Sequence, residues 1–370
     1  MKKKILFLVS TLANSGPTNQ LYGLVKNLDQ DIFSISLLTL SQEPEIESSW
    51  GRFDCLGLEM DSLRLSRFEG ILLAWSRLRD YIDNFKPDLV HTQGIRADIL
   101  NAARIHRSRS LCTARNYPYL DYPSKFGRFR GRVMAMRHTE ALRQINVVAC
   151  SHAIATQLAT HGIAPFVVQN GVDLDSLHPV DGTIKASLRN RLGLPQDALI
   201  VVSVGSLIPR KDMLTVTKAY QAAHLGVNSR LVVLGSGPLE SDLRKLAHRN
   251  VLLRGHVANV KDYLNAADIF ISASLAEGLP NTVLEAMATG LPCILSDISS
   301  HRELQEDDNL FFQCGDVSAL SSRLLAIADE EHLSSLGCKA RRNVQKRFSV
   351  QKMAAEYQEI YHKLLEAQGG

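Results

Sequence analysis

What the sequence has little of narrows it first. Its 370 residues include six cysteines, Cys55, Cys112, Cys150, Cys293, Cys314 and Cys338, which form no Cys-x-x-Cys pair and no metal-ligand spacing. Several lie in or beside apolar stretches, so they read as reduced core thiols of a cytosolic protein. No apolar run approaches the ~18 residues of a membrane-crossing helix, so no spanning segment is expected. Charge of one sign is also scarce: the net charge is +4 with 22% charged residues. The opening Met1-Lys-Lys-Lys4, Ile5-Leu-Phe-Leu-Val9 and Ala13-Asn-Ser15 has the outline of a signal peptide. Its apolar run is short and leads straight into Ser15-Gly-Pro17 and an amphipathic stretch. It is therefore read as a first buried strand and its helix.

What is there suits ordinary globular protein, with 45% apolar residues. The length fits two domains of roughly 170–185 residues each. Strands alternate with helices throughout, which implies parallel sheets with right-handed crossovers. In the first half the pattern predicts strands at 5–10, 33–40, 53–58, 88–92, 109–113, 146–150 and 165–169. It predicts helices at 17–28, 66–85, 95–106, 125–143 and 151–161. Ligands of such sheets collect beyond the carboxyl ends of strands, so the loops after strands deserve the closest reading.

The most informative stretch runs from Ser272 to Ser296. A short apolar strand, Asp268–Ile271, precedes a Gly-Leu-Pro turn and a helix that stops at Gly290-Leu-Pro292. Pro280 suits the first helical turn and Gly290 the helix end. Two carboxylates sit in this frame, Glu277 before the helix and Glu285 inside it. If the residues between are largely helical, eight steps put the backbones roughly 12 Å apart. A retaining glycoside hydrolase needs its carboxyls about 5 Å apart. The pair therefore reads as two grips on one elongated polar ligand, such as a sugar and a ribose joined by a diphosphate. The helix N-terminus between them favours the anion.

Glu277-x7-Glu285 within Glu-Gly-Leu-Pro-Asn-Thr-Val-Leu-Glu-Ala-Met-Ala-Thr-Gly-Leu-Pro resembles the signature of the family-four retaining glycosyltransferases of GT-B fold. The resemblance implies an α/β protein of two Rossmann-like parallel-sheet domains facing across a deep cleft. Residues 1–175 would bind the acceptor, 176–349 would bind the nucleotide-sugar donor, and a helix at 350–370 would cross back to the first domain. Gln169-Asn-Gly-Val-Asp173 is similar to the family's turn before the interdomain linker, placed at 174–182. Gly205-Ser-Leu-Ile-Pro-Arg-Lys-Asp212 resembles the loop that grips the donor diphosphate. There Lys211 falls on the family lysine, Ser206 replaces the arginine, and Arg210 stands beside Lys211 as its substitute. Leu231-Val-Val-Leu-Gly-Ser-Gly-Pro238 matches a family loop, and Gly255-His-Val257 one whose backbone contacts the base. A dinucleotide reading of the same glycines is weak, because Glu240 stands where the third glycine belongs.

The resemblance assigns roles residue by residue. Glu285 takes the ribose hydroxyls. Glu277, Gly278 and Leu279, with Pro280 and Asn281 at the helix start, hold the sugar. Lys211, Arg210 and the Gly16 amide meet the diphosphate. His91, at the end of the strand in Pro87-Asp-Leu-Val-His-Thr-Gln-Gly94, matches a family histidine near the reacting centre and is a candidate catalytic residue with Glu277 and Lys211. No metal and no cofactor is expected beyond the nucleotide-sugar co-substrate, UDP-linked above all. Between Arg96 and Arg143 the chain is basic. Lys125-Phe-Gly-Arg-Phe-Arg-Gly-Arg-Val-Met-Ala-Met-Arg137 mixes cations with Phe and Met. Arg128, Arg130 and Arg132 there suit an anionic membrane surface or a lipid-diphosphate acceptor. No nucleic-acid-binding motif accompanies them. The expectation is a cytoplasmic hexosyltransferase, peripheral on the inner face of the membrane, making surface polysaccharide or lipopolysaccharide. A sugar-nucleotide 2-epimerase of the same fold, a non-catalytic nucleotide-sugar sensor and a dehydrogenase stay open as alternatives.

Overall fold

The computed structural model describes residues 2–66, 69–103, 107–328 and 330–367. The chain divides into two compact units, residues 1–171 with 350–370, and residues 172–349. Arg104, part of the basic stretch, lies outside the described residues.

The first unit is built on seven parallel strands: β1 (Lys3–Val9), β2 (Phe33–Ser41), β3 (Glu59–Leu65), β4 (Leu89–Gln93), β5 (Ser110–Ala114), β6 (Asn146–Ala149) and β7 (Phe166–Val167). They lie in the order β3-β2-β1-β4-β5-β6-β7, so the direction of winding reverses between β1 and β4. The apolar run of β1 is continuous because both sheet faces are covered. Ile5, Phe7 and Val9 pack with the last helix, Val350–Glu366, while Leu6 and Leu8 join Leu38, Leu40 and Leu78 in another core cluster. That helix contributes Val350, Met353, Ala354, Tyr357, Ile360, Tyr361 and Leu364 to the first unit's core.

The second unit carries six parallel strands: β8 (Leu199–Val204), β9 (Ser229–Leu234), β10 (Val251–Leu253), β11 (Ile269–Ser272), β12 (Cys293–Ser296) and β13 (Phe311–Phe312). Their order is β10-β9-β8-β11-β12-β13, again reversing beside the first strand.

The strand expected at 53–58 is instead the end of a helix, Trp50–Asp54, followed by a turn, and β3 begins at Glu59. Phe53 is drawn fully inside, edge-on to Tyr22 at 5.3 Å. The single helix expected at 125–143 is a pair, Pro118–Phe126 and Arg128–Gln144, broken at Gly127, whose φ is +81°. Gly131 lets the two helices close up: a Cβ there would lie 2.4 Å from the backbone nitrogen of Pro123. Of the six cysteines, Cys112, Cys150 and Cys293 are buried, whereas Cys55, Cys314 and Cys338 are exposed and are not core thiols.

Candidate active site

In the second unit three loops at the carboxyl ends of β8, β9 and β10 are lashed by backbone bonds. Leu207 N–H donates to Ser236 O (2.9 Å), and Gly235 N–H donates to Gly255 O (2.7 Å). A Cβ at Gly235 would stand 2.0 Å from Gly205 O, and one at Gly237 would stand 2.6 Å from Leu207 O. The Gly-x-Gly here serves close packing of loop on loop. Val257 lies just past Gly255, in the loop after β10.

The loop after β8 turns at Pro209–Lys211 and then at Asp212, which is held at φ 44° and caps the next helix through Thr215. This turn delivers Arg210 and Lys211 to the loop after β11, where Leu275 N–H donates to Arg210 O (2.8 Å). Arg210 Nη1 pairs with Glu277 Oε2 at 2.9 Å, and Lys211 Nζ with Oε1 at 2.5 Å. Burial alone would raise the Glu277 pKa. The Lys211 and Arg210 charges, with hydrogen bonds from Lys211 and Ser274, outweigh it and hold the carboxyl down to about 2. Two cations meet one carboxylate, and Arg210 Nε is buried without a partner, so the cluster keeps an unspent positive charge and an open donor.

Glu285 lies five residues into the helix Asn281–Ala288 and is half-buried. Its side chain makes no hydrogen bond or ion pair with any described residue. Burial lifts its pKa to about 7. Pro280 is the residue just before the helix, and Gly278–Pro280 form a non-helical turn, so the spacing between the carboxylates is only partly helical. Leu279 is buried under the helix start, and Gly290 ends the helix at φ +79°.

Behind Glu277 stands a network that sequence reasoning missed. Ser274 bonds the Glu277 carboxylate, and Ser296 Oγ–H donates to Ser274 O at 2.6 Å. His301 is fully buried, with Nδ1–H donating to Ser296 O at 2.8 Å. Burial lowers the His301 pKa to about 4, so it stays neutral. The Ser-Ala-Ser at the end of β11 was the available signal.

A family model described as "Glycosyltransferase Family 4" matches residues 14–176, and one described as "Glycosyl transferases group 1" matches residues 198–330. Together they cover well over half of the sequence. The chain belongs to glycosyltransferase family 4.

The family-four chain is 29% identical over 208 residues to the UDP-Gal:alpha-D-GlcNAc-diphosphoundecaprenol alpha-1,3-galactosyltransferase of Escherichia coli, a match covering 53% of each chain. It thus spans about half the length of that relative. To the O-antigen biosynthesis glycosyltransferase WclY of Escherichia coli it is 24% identical, with 98% of both chains covered. Among solved structures, Anabaena HepE in complex with UDP superposes with a TM-score of 0.78 at 18% identity, covering 98% of this chain and 100% of that one. That likeness shows the fold.

In the first unit of this family-four protein, Gly16 opens the helix Gly16–Asn27, whose preceding residue Ser15 accepts from Thr18 N–H. His91 is placed otherwise than expected. It is the middle residue of β4, fully buried, with Nδ1 2.7 Å from Tyr361 Oη and Nε2 2.8 Å from Thr113 Oγ1. Burial, then the Arg115 charge, depresses its pKa to about 3. Both ring nitrogens are engaged inside the core, so the imidazole ties β4 and β5 to the last helix instead of standing free at a strand end. Arg128, Arg130 and Arg132 are exposed and pair with no described residue. They flank a ridge of Phe129 (83% exposed), Val133 and Met136 (59%), spaced i, i+4, i+7 along one helix face.

Proposed function

We propose that this protein transfers a hexose or N-acetylhexosamine from a UDP-sugar to a lipid-linked saccharide in cell-surface polysaccharide or lipopolysaccharide synthesis, with retention at the anomeric carbon. The observation that carries the reading is the clamp of Arg210 and Lys211 on Glu277 beside an unpartnered, half-buried Glu285. The named activity of the galactosyltransferase relative, the O-antigen role of WclY and the UDP complex of HepE support the donor and acceptor class.

In this reading Glu285 grips the ribose hydroxyls, and Glu277 with the backbone of Gly278 and Leu279 holds the sugar. Pro280 and Asn281 shape the helix start, and the loop ending in Val257 meets the base. Arg210 and Lys211 meet the diphosphate as charge develops on it. Both Glu277 oxygens are already held by cations, which disfavours it as a covalent nucleophile and favours attack from the face the diphosphate leaves.

The test is thermal unfolding of wild type and Glu285→Ala with UDP, GDP, ADP and NAD, each in EDTA. A ligand at 100 times its dissociation constant stabilises by about 2.7 kcal/mol. UDP is expected to stabilise wild type and not the variant; stabilisation by NAD alone would overturn the reading.

Glu285 also sets a pH dependence. Its carboxylate must be ionised to accept from ribose, and its unliganded pKa is about 7. UDP affinity is therefore expected to rise about tenfold from pH 6 to 8, with proton release on binding near neutrality. The unliganded fold changes the opposite way. A pKa raised on folding means that this group's contribution to stability falls as pH rises from 4.5 towards 7. Glu285→Gln should flatten both trends, as calorimetry in buffers of different ionisation enthalpy would show.

No helix among the described residues is long and apolar enough to cross a membrane. The Phe129–Met136 ridge between arginines is the proposed seat on anionic lipid. At about 1 kcal/mol per cation near such a surface, Arg128→Ala, Arg130→Ala and Arg132→Ala together are expected to weaken binding to phosphatidylglycerol vesicles roughly 100-fold. Co-sedimentation would show it, with phosphatidylcholine vesicles as the control. Equal binding of the triple variant would sink the docking role.

A further inference from the structure

The carboxyl ends of β4 and β5 in the first unit carry a polar cluster that the donor grips leave unused. Gln93 closes β4, Arg115 directly follows β5, and Asn170 lies beyond β7. Arg115 Nη1–H donates to Asn170 Oδ1 at 2.6 Å, and Nη2 stands 3.5 Å from Gln93 Oε1. Both acceptors are neutral, and no described carboxylate pairs with Arg115. Arg115 Nε is buried without a partner. So is Nε2 of Gln93, a residue only 8% exposed.

A guanidinium drawn partly out of water without a counter-ion is costly, and donors left unmatched beside it add to the cost. What would supply the missing counter-charge is an oxyanion, which accepts from a guanidinium fork and an amide together. Gln93 pairs in register with Val9 of β1, at the point where the winding reverses and where ligands of open sheets collect. From Arg115 the chain runs through Asn116 and Tyr117 directly into the helix pair that bears the arginine-flanked ridge.

We propose that Arg115 and Gln93 form a phosphate site for the acceptor, taking the phosphoester next to the sugar that is extended, with Asn170 orienting the guanidinium. This deepens the proposed transfer and rests on it. The same chemistry could come from free phosphate, so the test separates the two sources.

The full chain, with and without saturating UDP, is titrated calorimetrically with N-acetylglucosamine 1-phosphate, N-acetylglucosamine and inorganic phosphate. The sugar phosphate is expected to bind at least tenfold more tightly than either the neutral sugar or inorganic phosphate. Arg115→Ala should lose at least tenfold in sugar-phosphate affinity while the UDP dissociation constant stays within twofold, which also reports an intact second unit. Gln93→Glu, close to isosteric, places a carboxylate against the guanidinium and should abolish the binding, with an unchanged circular dichroism spectrum reporting an intact first unit. Wild-type sugar-phosphate affinity in Arg115→Ala overturns the site. Equal affinity for inorganic phosphate and the sugar phosphate overturns its assignment to the acceptor. Failure of wild type to bind UDP counts against the transfer reading instead, since the titrations without UDP judge this site separately.

Discussion

Replacing Glu277 by alanine is expected to lower the unfolding free energy of the second unit by about 3–5 kcal/mol, the cost of removing one partner from a buried ion pair. The side chains of Arg210 and Lys211 are each 16% exposed and that of Glu277 is 8% exposed, so water replaces the lost carboxylate only in part. Linkage gives a similar figure. A carboxyl held at about 2 instead of 4.5 contributes roughly 3 kcal/mol at neutral pH. Because its pKa is lowered on folding, that contribution is present above pH 4.5 and is lost as pH falls towards 2. Wild type should show this acid loss and Glu277→Ala should not. The variant leaves two cations facing each other, and inorganic pyrophosphate supplies the missing charge. Urea unfolding with and without pyrophosphate should therefore show a much larger ligand gain for the variant than for wild type. A variant as stable as wild type and indifferent to pyrophosphate would mean that the clamp is no clamp.

Gly235→Ala carries the second large effect. Its φ is +135°, and the added methyl would lie 2.0 Å from Gly205 O, a backbone atom with no room to yield. Backbone strain of about 1–3 kcal/mol and overpacking of similar size combine to roughly 4 kcal/mol. For a unit of this size that lowers the melting temperature by roughly 10 °C. Gly255→Ala is the informative partner. Gly255 has φ +69° but nothing within 4 Å of a new Cβ, so only the left-handed penalty of about 1 kcal/mol applies. Calorimetric melting of both variants checks the contrast. Equal destabilisation would show that loop contact is not what requires Gly235.

The parts of the fold that were readable are those whose neighbours in sequence determine them. Leu199–Val204 is apolar on both faces, and its run ends where the strand ends. The Gly290 stop is visible because a left-handed residue closes the helix there. The edge strand Glu59–Leu65 was misplaced because an edge is paired on one side only. Its alternation of polar and apolar residues resembles surface, while nearby Phe53 owes its burial to Tyr22, distant in sequence. The helix Pro118–Phe126 was hidden by Pro123, a residue that ordinarily breaks a helix interior.

The carboxylates and cations of the second unit were legible because their motif is local. The clamp itself was not, since Arg210 and Glu277 stand 67 positions apart. The surroundings of His91 are hidden from the sequence for the same reason. Its partner Tyr361 is 270 residues away, and nothing near His91 announces that a tyrosine will fill its hydrogen bond.

That remote tyrosine sits on a helix with a consequence for synthesis. The first unit's core is incomplete until residues 350–364 are available, yet the whole of residues 172–349 is translated in between. At ~5–20 residues per second the nascent first unit waits on the order of 10–40 s with the Phe7 and Phe33 side of its sheet covered only in part, by Leu21, Leu24 and Val25 of the helix Gly16–Asn27. The second unit, continuous in sequence, needs nothing that emerges later. The half made first is thus finished last, and in that interval the part-covered sheet face is the stretch of this chain most in need of a chaperone.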